Sequence, residues 1–221
     1  FIAKLRQDMG LDLPLGQQLL VYLGQVAHLD LGYSYRNQTP VWTLLAERLP
    51  ATLSLMGSAF LLSSLLGVSL GVLAAHARQH RHWLDGVISH GALLLYSIPT
   101  FWLAMLLILL FSVSLDWLPA FGLETVAREL QGGAWLADRL RHLLLPCLSL
   151  SFLFLALYVH LTRAATLEAM SQEYVYTARA KGLRPRRILL GHVLRNALLP
   201  VVTFAGLQPV SYTHLTLPTK R

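Results

Sequence analysis

The sequence predicts an all-α fold, a polytopic bundle of transmembrane helices, and three observations predict it. Hydrophobic residues fill 55% of the 221 positions and charged ones only 13%, whereas about a quarter of the residues in a soluble domain are charged. The charges are also bunched. No Asp, Glu, Lys or Arg lies between Arg48 and Arg78, between Asp85 and Asp116, or between Arg141 and Arg163. Each gap supplies the ~20 apolar residues that cross ~30 Å of hydrocarbon. Each is read as a helix, because an isolated strand leaves its backbone unsatisfied in lipid.

Taken in order, residues 1–48 come before the first span. They show no initiator Met, basic n-region or apolar h-region, so they are not a signal peptide. Phe1–Met9 reads like the middle of a protein. Turns are expected at Gly10–Pro14 and Asp30–Ser34, between short amphipathic pieces. An extracytoplasmic segment needs a span before it, so a first transmembrane helix is expected upstream of Phe1. The first span in the sequence is expected over 51–75 and the second over 86–111. Pro99 lies inside the second, removes one backbone hydrogen bond and should kink it. Such breaks in transporters often lie near a substrate path, although a structural kink explains it equally well. The third span is expected over 142–162, ending at Arg163, and a fourth from 197 onward. That last stretch turns polar within a dozen residues and carries Pro218, so 209–221 is expected to be a non-native tail and the chain truncated at both ends.

Charge sets the orientation. With alternating spans, 76–85 and 163–196 share a side and hold nine Lys and Arg. The longer segments 1–48 and 116–141 hold seven, together with eight of the eleven acidic residues. The positive-inside bias places 163–196 in the cytoplasm and 1–48 and 116–141 outside.

Several function classes drop out. Net charge is +7, but the basic residues cluster between spans and no groove-reading motif accompanies them, so nucleic acid is not the partner. The single Cys147 excludes an intrachain disulfide. His76, His80 and His82 gather at a helix end without the carboxylates or Cys of a coordination set, so they read as interfacial residues and not as a metal site. His90 and His160 lie within spans, where a polar group either lines a path or packs with its hydrogen bond satisfied. Trp102, Trp117 and Trp135 mark interfaces or packing. No nucleophile and base stand at a usable spacing. No phosphate-binding Gly-rich loop is present, so the chain does not hydrolyse ATP and no cofactor is expected.

The cytoplasmic loop is the most informative stretch. Ser171 can cap a helix whose first turn holds Glu173 and whose last turn holds Arg179 and Lys181, charges that suit the helix dipole. Gly182 ends it in a left-handed conformation, and Pro185 opens a second helix running to Leu199. Tyr174, Ala178 and Lys181 share one face by their spacing. Ala178 and Ala180 are small enough for close approach by another protein. The spacing alone fits a basic loop resting on anionic lipid just as well.

These residues carry a resemblance. Tyr174–Gly182 and Arg195–Pro200 resemble the EAA loop of binding-protein-dependent ABC importer permeases, above all the oligopeptide, dipeptide and nickel subgroup. Glu47-Arg-Leu-Pro-Ala-Thr-Leu53, Ser97-Ile-Pro-Thr-Phe-Trp-Leu103 and Asp116-Trp-Leu-Pro119 are similar to further blocks of that family, in the same order. The interval from Gly182 to Pro200 exceeds that of sugar-type permeases and matches the peptide and nickel subgroup. The resemblance implies a type I, MetI-like transmembrane domain over 49–208 in the cell inner membrane. It also implies a second permease subunit, two ABC ATPase subunits that bind ATP, and an extracytoplasmic solute-binding protein. Glu173, Tyr174, Ala178, Arg179, Ala180, Lys181 and Gly182 would dock the ATPase. Peptide is the implied cargo, with nickel or another small solute as the alternative. A membrane-anchored scaffold or enzyme with a lipid-binding loop is the reading from another class.

Overall fold

The computed structural model describes residues 13–125 and 131–216, without the side chains of 79, 80 and 208–216. The expectations for Phe1–Met9, for Gly10–Asp12, for the His80 side chain and for 217–221 lie outside the described residues. Two compact units divide the chain at Leu53.

The first unit holds α1 (Leu15–Ala27) and a two-residue antiparallel hairpin, β1 (Tyr33–Ser34) with β2 (Thr39–Pro40), in which Tyr33 faces Pro40. The turn expected at Asp30–Ser34 is displaced: Tyr33 and Ser34 are strand, and the turns lie at 28–29 and 35–38. The Asp30 carboxylate accepts from the Gly32 N–H at 3.0 Å, and Gly32 adopts φ +78°.

α2 (Val41–His80) begins in this unit and supplies the first span, extending well beyond 51–75 at both ends. In the second unit follow α3 (His82–Ser97), α4 (Thr100–Leu107) with a π segment at Ile108–Ser114, and α5 (Gly133–Met170). After these come α6 (Glu173–Ala180), α7 (Pro185–Ile188), a second π segment (Leu189–Val193) and α8 (Leu194–Thr216). The described fold is thus a bundle of long apolar helices.

Three expectations about boundaries are corrected. The second span is broken, not kinked. Ile98 is extended (φ −79°, ψ 127°), as the residue before a proline prefers, Pro99 stands at the start of α4, and the two halves meet at 100°. α5 does not stop at Arg163; it runs on to Met170, because a charge marks the edge of hydrocarbon and does not interrupt the backbone bonds of a helix. The fourth span has no separate start near 197, since α7, the π segment and α8 follow one another without a break, through Pro200 and Pro209.

An ion pair and a pair of hydrogen bonds fix the course of the chain along α5. Asp85 meets Arg163 near one end, whereas Thr125 hydrogen-bonds Asp138 near the other. Those two α5 residues are separated by roughly 37 Å of helix. The broken span therefore carries the chain from one end of α5 to the other and does not return, which makes it a crossing. With α2, α5 and the Pro185–Leu207 helix it gives, among the described residues, up to four stretches long and apolar enough to cross a membrane. The core lies where α5 is enclosed: Ala92, Leu155, Ala156 and Val159 form one buried cluster, and Phe154, Tyr158 and Val201 another.

Candidate functional site

The loop after α5 folds as the residue types dictate. Glu173 sits in the first turn of α6 and Arg179 in its last. Ser171 does not cap it. Gln172 holds the cap position, and the Ser171 hydroxyl donates instead to the Glu168 carbonyl at 2.7 Å, closing the end of α5. At the far end Gly182 adopts φ +73°. Its N–H donates to the Arg179 carbonyl at 2.9 Å and the Leu183 N–H to that of Ala178 at 3.2 Å, the paired bonds of a Schellman cap. Pro185 then occupies the first turn of α7, where its missing N–H costs nothing.

This helix–turn–helix has a core of its own. Val175 and Ala178 of α6, Ala169 of α5, Ile188 and Val193 beyond the turn, and Ala197 of α8 are buried together, with Leu183 packed on them. Ala178, expected at the outer face, points inward at 6% exposure, so its small side chain serves the internal packing. Tyr174 is half-buried, and its hydroxyl is enclosed without a hydrogen-bond partner. Glu173, Arg179, Ala180, Lys181 and Gly182 are exposed, together with Tyr176 and Thr177, which sequence reasoning passed over. The missed signal was the Val175, Ala178, Leu183 pattern, which marks the buried side of α6. A cavity of about 300 Å³ lies beneath it, lined by His76 of α2, Met170 of α5, and Arg179 and Leu183. The loop thus rests on the ends of α2 and α5 and is held as one piece.

A second constellation was not foreseen at all. The Arg163 guanidinium donates through Nε to Asp85 Oδ1 at 2.5 Å and through Nη2 to Oδ2 at 2.6 Å. Arg78 adds a bond to Oδ2 at 3.3 Å and the Ser89 hydroxyl one to Oδ1 at 3.3 Å. In the sequence Asp85 and Arg163 mark only the edges of apolar gaps, 78 residues apart. The cluster places 76–85 and the end of α5 at the same end of the bundle. His90 and His160 both lie on the exposed surface of their helices. Among the described residues, no group of three His, Cys, Asp or Glu side chains could hold a metal ion.

The chain matches the family model of the binding-protein-dependent transport system inner membrane component over residues 67–212. It belongs to that family. The match takes in the broken span, α5, the loop and most of α8, so the permease fold and a multi-pass place in a membrane follow together. Relatives of this permease family include the di/tripeptide transport system permease protein DppB of Pseudomonas aeruginosa (strain UCBPP-PA14). It is 40% identical over 93% of this chain and 65% of its own length. The dipeptide transport system permease protein DppB of Escherichia coli (strain K12) is 37% identical over 93% of this chain and 65% of its own length. The chain therefore spans just under two thirds of either relative.

Proposed function

We propose that the chain is the transmembrane permease subunit of an ATP-driven importer that moves dipeptides or oligopeptides across the inner membrane. It works beside a second permease subunit, two ABC ATPase subunits and an extracytoplasmic solute-binding protein. The observation that carries this reading is the Schellman-capped loop with a core of its own, resting on the ends of α2 and α5. Such a loop passes on a push where a floppy one would absorb it. The names of the relatives support peptide as the cargo.

In this reading the exposed side of α6, made by Glu173, Tyr176, Thr177, Arg179, Ala180 and Lys181, docks in a groove of the ATPase. Gly182 holds the turn that presents it, and Ala178 and Tyr174 support it from within. ATP binding draws the two ATPases together, the docked loops follow, and the bundle changes the side to which it opens. The break at Pro99 frees backbone groups inside a crossing and gives a place where a path can be lined.

Reconstitution of the complete complex in proteoliposomes tests this. ATP-dependent uptake of a labelled dipeptide, requiring the binding protein, is the expected result. Uptake of nickel but not of peptide would change the cargo. A chain that retains no ATPase subunit in mild detergent would return the loop to the lipid-binding scaffold reading. Gly182→Val sharpens the test. Nothing lies within 4 Å of a Cβ at Gly182, so only the left-handed backbone opposes a β-branched residue there. The expected outcome is near-normal insertion with uptake reduced at least tenfold.

A further inference from the structure

Asp85 is a carboxylate shared by two cations on two different helices. Arg163 of α5 holds it with a two-pronged fork, and Arg78 of α2 touches one of its oxygens at 3.3 Å. The Asp85 side chain is 7% exposed and that of Arg163 21%, whereas that of Arg78 is 55% exposed. The fork is thus sheltered, and the second cation stands at its rim.

The helices beside the fork pack closely. A Cβ at Gly71 of α2 would lie 2.7 Å from the Val159 carbonyl oxygen and 3.1 Å from the Arg163 nitrogen. α2 therefore lies flat against the very turn of α5 that carries Arg163. From Arg163, α5 continues without a break for seven residues to Met170, roughly 10 Å, and α6 begins three residues later. Asp85 stands in the first turn of α3, the helix that ends at the Pro99 break. The pair thus sits between the candidate docking loop and the broken crossing, and it joins the helices that lead to each.

We propose that Asp85 and Arg163 are positioning residues for coupling. They form the joint through which displacement of the 173–182 loop is passed from α5 to the broken crossing. Arg78, held by one contact at the rim, is the partner that lets go when α5 moves. This rests on the importer reading above. An unbroken helix transmits axial and rotational displacement to Arg163, a two-pronged fork resists rotation where a single contact would swivel, and Asp85 delivers the displacement to α3. A buried carboxylate left without a cation is strongly disfavoured, so Asp85 stays with the Arg163 fork as α5 moves, and only the single 3.3 Å contact to Arg78 has to part.

The test uses the whole complex with its binding protein in proteoliposomes, measuring assembled complex, ATP hydrolysis, and peptide taken up per ATP hydrolysed. Asp85→Asn and Arg163→Gln should keep hydrolysis within about twofold of wild type while uptake per ATP falls at least tenfold. The exchanged pair Asp85→Arg with Arg163→Asp should recover much of that ratio. Arg163→Lys keeps the charge and loses the fork, and should lower the ratio about threefold to fivefold. It keeps the proposal open to refutation if the neutral variants fail to assemble. If assembled amounts fall but uptake per ATP is unchanged in the variants that do assemble, the pair only holds the fold and the proposal is overturned. A wild-type complex without ATP-dependent uptake overturns the importer reading itself, and this inference with it.

Discussion

A methyl group at Gly71 would press on the Val159 carbonyl oxygen at 2.7 Å, and one at Gly67 would run into the Tyr158 Cβ. The first obstacle is backbone, which cannot swing aside like the end of a long side chain. Gly71→Ala and Gly67→Ala should each destabilise the protein by about 1–3 kcal/mol. The reading is a lower thermal midpoint of the purified protein in detergent. Gly57→Ala, with nothing within 4 Å, should leave that midpoint where it is or raise it slightly. Ser63, Gly67, Gly71 and Ala75 recur every fourth residue, a small-residue stripe that was passed over in the sequence. What the stripe could not say is which helix fills it. Ala178 shows the same limit from the other side. Its spacing with Tyr174 and Lys181 defines a stripe along α6, yet the inward direction depends on Val175, Leu183 and the helices beneath. Gly182 was fully legible, because a left-handed turn is a demand on a single residue.

Among the elements, the broken crossing is where the sequence pattern and the fold part most. An apolar stretch of the right length reads as one helix with a proline in it, and hydropathy does not register a 100° turn. Two local effects combine to make it: Pro99 has no N–H to donate to the Leu95 carbonyl, and its ring pushes Ile98 into an extended conformation. Pro99→Ala removes both effects. The distance between spin labels at the exposed positions Leu94 and Leu109, measured by pulsed electron resonance, should lengthen as the two halves straighten. An unchanged distance would place the cause of the break in the packing against α5. The misjudged ends have a different origin. A run without charges marks hydrocarbon, whereas a helix continues wherever its backbone bonds are made. α5 extends past both edges of its apolar run on its own backbone bonds, and the charged Asp138 and Arg163 beyond those edges meet Thr125 and Asp85. Those partners come from distant sequence and could not be read in advance.

At the scale of the molecule, the four crossings put the loop around Lys181 and the segment around Phe121 at opposite ends of α5. With Cys147 replaced by serine, a cysteine at Lys181 should react with a membrane-impermeant thiol reagent from one face only. A cysteine at Phe121, which is 85% exposed, should react only from the other. Labelling of cysteines at Phe121 and at the exposed Arg81, which flank the broken pair, from the same face would make that pair a re-entrant loop and leave three crossings. The overall architecture was legible because burial in lipid imposes length and charge rules that a sequence cannot disguise, and the family blocks gave their order. The π segment at Leu189–Val193 joins the loop half of the molecule to its final crossing. A π turn holds one residue more than the α turn it replaces. That surplus makes this short stretch the one place on the connecting helix where the chain can be shortened without turning its two flanks against each other. Removing Gly191 would leave Ile188 and Ala197 facing the same core. The same deletion a turn or two further on, within regular α-helix, would rotate the membrane half against the loop by about 100°.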